Sequence, residues 1–439
     1  MTEKRNIFVV GDDRFNLDLL QLIHNADSYR FHRLLTYKEV VQPNEFDADE
    51  ILRTAMKRLD DFDGPVDGII GYWDFPTSTI LPVLRARFDL AGPTEEAVLK
   101  CEHKYWSRVE QAKAFPDHTP KFCAFNPFAK DVRGQIDLDY PFWIKPVQAH
   151  SSFLCFKVKD DRELAQAVTR IRAEIGIISD AVNALLKYAE LPPEIEKVDG
   201  NHFIAEESIS ADRQCTLEGY VLDGEPVTYG VIDSVRGGKH SSSLTQYRYP
   251  SLMPQAITER MAEFASGMVK QIDLKWTPFN AEFFYDEEND RIHLLEINPR
   301  LSKSHSPLFL FVNGASHQQV AVEISLGKKP SLPDGEGPFR YAGKFMVRHL
   351  GGDAYVRRVP SVEETKQLCE DFPELRIQVH VHEGMRLSDL KLQESYSYEL
   401  AEVFLGADSP EALTERYEAL LRQLPIELDE IDESERKKA

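Results

Sequence analysis

The sequence lacks any apolar run of the length that a membrane-spanning helix needs. Its first residues, MTEKRNIFVVGDD, lack the long apolar core of a secretory leader. Basic residues are in deficit: 52 Lys and Arg stand against 73 Asp and Glu, a formal net charge of −21. A nucleic-acid binder needs a basic footprint, so that class is excluded. An anionic substrate is not excluded, because a few local cations can make one pocket positive. Cysteine is scarce. Cys101, Cys123, Cys155, Cys215 and Cys369 form no close pair and are odd in number. This argues against a disulfide scaffold or a cysteine zinc site, and for reduced thiols in the cytoplasm. The dinucleotide fingerprint GxGxxG and the nucleophile motif GxSxG are both absent. Internal repeats and low-complexity blocks are absent too.

What is present reads as an α/β protein of roughly two to four domains. Residues 6–11 (NIFVVG) and 66–71 (VDGIIG) are short apolar strands, and helical patterns follow each of them. Alternating strands and helices imply a parallel sheet covered by helices. Residues 160–190 read as one helix, with Leu164, Val168, Ile171 and Ile175 at helical spacing and Pro192 and Pro193 beyond it. Asp223-Gly224 centres a strand pair. Residues 233–243 (DSVRGGKHSSS) read as a loop, in which Asp233, Arg236, Lys239 and His240 could meet a substrate carboxylate or simply be solvated. Residues 328–337 are a linker. Strand patterns and a helix capped by Ser409 with Pro410 at its first turn follow. His380 and His382 alternate on a strand, but no third metal ligand is evident in the sequence.

The most informative stretch is 279–300, FNAEFFYDEENDRIHLLEINPR. Two apolar runs flank a polar turn, which predicts a β-hairpin. With the turn centred on Asn289, Glu282 faces Glu296. Like charges placed opposite each other at roughly 5 Å destabilise a strand pair. A divalent cation would remove that conflict, since carboxylate oxygens are what Mg²⁺ binds. Asn298 and Arg300 follow at two-residue spacing, so the same face would carry Glu282, Glu296, Asn298 and Arg300.

This arrangement, E-(13 residues)-E-I-N-P-R, resembles the metal-binding hairpin of the ATP-grasp superfamily. The resemblance implies ATP and two Mg²⁺ ions (Mn²⁺ as an alternative) as cofactors, with Glu282, Glu296 and Asn298 as metal ligands and Arg300 stabilising the reacting centre. Other elements occur in the family's order. Lys104 in CEHKYWSR and Lys145 in YPFWIKPV resemble the two phosphate-binding lysines. The strand FIAEESI resembles the one leading to the adenine hinge, with Glu206 on the adenine amino group and Glu207 and Ile209 along the hinge. Gln214 falls where the family places a ribose contact. One departure stands out: Lys145 is followed by PVQAHSSF, without the glycines of the family's flap. His150, Ser151 and Ser152 are the groups there that could meet phosphate.

Domain order resembles that of biotin carboxylase-like members. It implies a pre-ATP-grasp α/β domain at 1–103, a two-lobed α+β ATP-grasp domain at 104–330 and a small α+β domain at 338–428. The resemblance implies a carboxylate-amine ligase of the L-amino acid ligase type, acting through an acyl phosphate. Its partners would be a small carboxylate and an amine, with no nucleic acid and no membrane, and a homodimer is possible. Asp233, Arg236, Ser304 and His305 are the substrate-side candidates. Two alternatives remain. Biotin carboxylase-like enzymes place a Glu before the His of an R-x-x-x-E-H-P pattern, and here that position is Ser304. A nucleotide-binding pseudoenzyme would not need all four hairpin residues.

Overall fold

A computed structural model describes residues 4–41, 46–149, 152–209, 213–238, 243–390, 393–394 and 396–431. The N-terminal layer is a parallel sheet in the order β2-β1-β3, formed by β1 (Arg5–Asp12), β2 (Tyr29–Thr36) and β3 (Gly68–Gly71). β2 was not expected from the sequence: its run YRFHRLLT interleaves basic and apolar residues and hides the strand period. Helices α1 (Arg14–Leu20), α2 (Tyr37–Val40), α3 (Ala48–Asp60) and α4 (Thr77–Arg87) accompany this sheet. Phe8, Val10, Ile69, Leu52, Ala55, Ile80 and Leu84 form one core between strands and helices.

Helix α5 (Glu95–Glu102) passes at His103 into α6 (Lys104–Ala114). The His103 Nδ1 accepts the Trp106 N–H at 3.2 Å, capping α6 and fixing Lys104 at its first position. A small sheet follows in the order β4-β7-β5-β6, made of β4 (Phe122–Phe125), β5 (Phe142–Pro146), β6 (Phe156–Val158) and β7 (Phe203–Glu207). Between its strands lie α7 (Asp161–Glu174) and α8 (Gly176–Leu186). The single helix expected over 160–190 is therefore two helices, divided at Ile175 beside the weak helix former Gly176.

The largest sheet has eight strands in the order β12-β11-β8-β9-β10-β13-β16-β15. They are β8 (Arg213–Leu222), β9 (Glu225–Gly237), β10 (Ser243–Tyr249), β11 (Thr277–Asp286), β12 (Arg291–Asn298), β13 (Tyr341–His349), β15 (Arg376–Val379) and β16 (Tyr398–Ala407). β14 (Ala354–Arg358) and β17 (Glu427–Glu430) pair separately. The sheet thus continues without a break from the predicted ATP-grasp segment into residues beyond the 328–337 linker. Asp223 and Gly224 both have positive φ in the expected β8–β9 turn. The region 233–243 is not simply a loop. β9 runs on through Arg236, which pairs with Leu244, because cross-strand pairing of Ser234 with Tyr247 outweighs the local glycine signal.

Helix α9 (Gln255–Gln271) covers one face of this sheet. Met261, Ala265 and Met268 pack with Phe279, Ala281 and Phe283 of β11, which alternate inward and leave Asn280, Glu282 and Phe284 on the other face. Helices α10 (Ser306–Asn313) and α11 (Gln318–Ser325) follow the hairpin, and α12 (Val362–Asp371) and α13 (Pro410–Gln423) back the C-terminal strands. Ser409 caps α13 by accepting the Ala412 N–H at 3.1 Å. Among the described residues no helix is long and apolar enough to cross a membrane.

Phe283 is fully buried between the hairpin and α9. Replacing it with Ala should cost about 3–5 kcal/mol of stability, read as a lower urea midpoint.

Candidate active site

The hairpin β11–β12 pairs Glu282 with Glu296, but not by the expected route. Asp286 pairs with Arg291, so the turn is centred half a residue earlier than Asn289. Asp286 holds it by accepting the Asn289 N–H at 3.0 Å and Nδ2 at 2.8 Å. A bulge at Leu295 then restores the predicted pairing: Phe283 is opposite Leu294, whereas Glu282 is opposite Glu296. The same bulge shifts the alternation of β12. Ile292 and Leu294 enter the core, and so does Ile297, which turns Glu296 and Asn298 to the other face. Without the extra residue Glu296 would point toward α9.

Cations and amides surround these carboxylates. Lys104 Nζ donates to Glu296 Oε2 at 3.2 Å and to the Ala149 carbonyl at 3.2 Å. Lys104 and then Lys145 hold the Glu296 carboxyl below its usual range, although burial pulls the other way. Glu282 is pushed up to about 7, first by burial and then by Glu296. Gln214 Nε2 donates to Glu282 Oε2 at 3.1 Å, and Arg236 donates to Gln214. Asn298 Nδ2 donates to Asn280 Oδ1 at 3.0 Å, leaving its own amide oxygen as the candidate ligand atom. Two facing carboxylates, one of them held toward its protonated form, together with an amide oxygen, are a donor set that fits Mg²⁺.

Lys145 is the last residue but one of β5 and pairs with Glu206 of β7. On its other side Glu206 accepts from Arg108 Nε at 2.6 Å, and Arg108 is 2% exposed. Against the pull of burial, Arg108 and Lys145 hold Glu206 at about 2. Its carboxylate, expected at the adenine amino group, is here engaged by two cations. Glu207 and Ile209 lie beyond it toward the expected hinge, and Glu207 is exposed with the Lys121 N–H on its carboxylate at 3.1 Å. Gln214, expected as a ribose contact, donates to Glu282.

The segment after Lys145 is tied down. The Lys104 N–H donates to the Val147 carbonyl at 2.6 Å, and Gln148 Nε2 donates to Glu102 at 2.9 Å. Ser152 is exposed, with its carbonyl accepting the Cys155 N–H. His150 and Ser151, like Lys239 and His240, lie outside the described residues.

Arg300 faces the N-terminal layer. Its Nε donates to Asp74 Oδ1 at 2.6 Å and its Nη2 reaches the same carboxylate. Asp74 lies just past β3, and the carboxyl ends of parallel strands are where α/β sheets bind ligands. That rule was the available signal for Asp74, which was missed, as were Arg108 and Glu102. Glu102 accepts from Thr79 Oγ1 at 2.8 Å and is pushed up to about 7 by burial.

Of the substrate-side candidates, Arg236 and Ser304 are on the cleft face. Ser304 Oγ accepts from Lys344 Nζ of β13 at 2.9 Å, so the C-terminal strands reach the site. Two candidates are corrected. Asp233 is on the opposite face, where it accepts from Ser251 and from the Leu252 N–H at 2.8 Å. His305 is 1% exposed and lies under the site. Its Nδ1 meets Glu218 Oε1 at 2.7 Å, and Glu218 also accepts the Ser302 N–H at 3.2 Å. Burial drives Glu218 up and His305 down. His380 lies beside Glu399 and Glu402, whose carboxylates are engaged by Arg348 and Lys344, and His382 is exposed.

Metal ligation requires a deprotonated carboxylate. Mg²⁺ affinity, read by calorimetry, should therefore rise as pH passes through about 7 and then level off, with Glu282→Gln removing the step. In the metal-free protein the raised Glu282 holds its proton longer than the unfolded chain does, so its contribution to stability should fall from about pH 4.5 to about pH 7. Separately, Glu206→Gln strands Arg108 as a buried charge and should cost about 3–5 kcal/mol by denaturant unfolding.

A family model described as the ATP-grasp domain matches residues 138–307. No curated protein matches the sequence. Among solved structures, an L-amino acid ligase from Bacillus licheniformis is similar over 98% of this chain and 100% of its own, with a TM-score of 0.70 and 16% identity. A carboxyaminoimidazole ribonucleotide synthase from Aspergillus clavatus, complexed with ATP, covers 96% of this chain and 99% of its own at TM-score 0.65 and 14% identity. A biotin carboxylase from Campylobacter jejuni covers 98% and 93% at TM-score 0.60 and 14% identity. At these identities the likeness is one of fold, and the family match concerns residues 138–307, which match the ATP-grasp domain.

Proposed function

We propose that this protein is an ATP-dependent carboxylate-amine ligase that forms an amide bond through an acyl phosphate. The observation that carries the reading is one cleft face holding Glu282, Glu296 and Asn298 between the cations Lys104, Lys145 and Arg300. In this reading residues 1–103, 104–330 and 338–428 supply the three walls of the cleft, and the enzyme works in the cytoplasm.

Lys104 and Lys145 bind the ATP phosphates, and Glu207 and Ile209 border the adenine. Glu282, Glu296 and Asn298 would hold two Mg²⁺ ions, whose charge would offset that of the phosphates. A substrate carboxylate oxygen attacks the γ-phosphorus and ADP leaves. The amine nitrogen then attacks the acyl carbon, phosphate leaves, and the amine gives up a proton. Arg300 stabilises the oxyanion of that second step. Positioning and charge neutralisation do the catalysis, and no side-chain nucleophile is needed.

A bicarbonate-dependent reaction is disfavoured by Ser304. A serine that accepts a hydrogen bond from Lys344 cannot serve as the base that activates bicarbonate. The test is ADP and phosphate release with Mg²⁺ and ATP across amino acids, singly and in pairs. Release should require a carboxylate together with an amine, and Glu296→Ala should reduce it to background. Release with bicarbonate alone, or tight ATP binding without turnover on any mixture, would count against the ligase.

A further inference from the structure

Arg85 is a buried cation that the cleft does not account for. It lies on α4, is 5% exposed, and donates from Nε to the Ile69 carbonyl of β3 at 2.9 Å. Its stem packs on Gly92, where a Cβ would come within 2.8 Å of the Arg85 Cδ. Ile69 is its one hydrogen-bond partner among the described residues, and no described acid forms an ion pair with it. The other deeply buried arginine, Arg108, is matched by Glu206. Burial, with no acid to offset it, lowers Arg85 to about 10, so the side chain remains a cation at neutral pH. A buried charge without a counter-charge is costly.

A cavity of about 10 Å³ lies where α4 meets the end of the hairpin, and Ser78, Arg85, Pro93, Thr277, Pro299 and Arg300 are among the residues that line it. No acid among the described residues lines it. The acids of this seam are engaged elsewhere: Asp74 takes Arg300, and Glu102 accepts from Thr79 and Gln148. Thr277 is engaged too, its Oγ1 donating to the Pro299 carbonyl at 3.0 Å. Two arginines therefore border one small space whose wall holds no counter-charge. The space is about what one water needs. A water there would satisfy hydrogen bonds and leave the charge of Arg85 unmatched. A monatomic anion would do both, and phosphate, bicarbonate or a carboxylate would be too large.

We propose that this cavity is a halide site, in which Arg85 and Arg300 hold a single chloride ion between the N-terminal layer and the hairpin. The ion is the counter-charge of Arg85. It joins α4, which belongs to the N-terminal layer, to the strand ends at Thr277 and Pro299, and so helps to dock one layer on the other. The site does not depend on the ligase reading and stands or falls separately from it.

The experiment follows thermal unfolding of the full chain at constant ionic strength while sodium gluconate is replaced by sodium chloride or bromide. A ligand that binds only the folded state raises Tm with the logarithm of its concentration, here by on the order of 1–2 °C per tenfold once the site fills. Chloride and bromide should both raise Tm relative to gluconate. Arg85→Met keeps an unbranched apolar stem and removes the charge, and it should abolish the dependence. Wild-type crystals grown in bromide should show an anomalous peak within hydrogen-bond distance of the Arg85 guanidinium, a result that does not require the variant to fold. Equal Tm in gluconate and in chloride would overturn the proposal. So would a chloride effect that survives Arg85→Met, or bromide found only on the outer surface.

Discussion

Glu282 and Glu296 facing each other across one strand pair is the constraint on which the cleft depends. Two carboxylates at that distance disfavour the sheet that holds them. The fold tolerates them by giving each a different answer. Lys104 neutralises Glu296 directly, while burial keeps Glu282 near its protonated form. Lys104 can do so because the His103 cap starts a helix at that residue, and because its N–H is tied to Val147. Lys104 and Glu296, from parts of the chain far apart in sequence, are thus two halves of one interaction.

The same logic extends around the site. Lys145 pairs with Glu206, Glu206 with Arg108, and Arg300 with Asp74. A protein of net charge −21 carries a cluster of cations here because each is matched in place. Polyanion binding is then an exchange of partners. Arg108 has a particular part in this: it is a second cation on Glu206, so that carboxylate does not depend on Lys145 alone. The tethers on Val147, Gln148 and Ala149 hold the segment after Lys145 against α5 and α6, in keeping with its lack of glycine.

Beneath the cleft, Glu218 gathers the Ser302 N–H, the His305 ring and the Tyr229 hydroxyl. The chain leaving Arg300 is therefore fixed from below, while Lys344 reaches Ser304 from the C-terminal strands. The continuous eight-stranded sheet makes this possible. Three parts of the chain meet over residues 300–304: the turn after β3 at Arg300, the end of the hairpin, and β13 at Ser304.

The sequence by itself determined the hairpin, the two opposed glutamates, the two lysines in order, the β8–β9 turn and the Ser409 cap. Each is written in neighbouring residues, through strand period, turn chemistry or capping, and survives any reasonable packing. It did not reveal β2, the break at Ile175, or the strand through Asp233 and Arg236, where local signals compete with pairing. Nor did it reveal which residues look into the cleft. Glu296 faces Glu282 because of a bulge that only the packing of Leu294 and Ile297 against α9 selects. His305 is buried and Asp233 is turned away because their partners, Glu218 and Ser251, belong to other strands and loops. Asp74 meets Arg300 only once the N-terminal layer docks on the large sheet. Contacts over such separations depend on how whole layers pack, and that information is spread across the chain and not held in any motif.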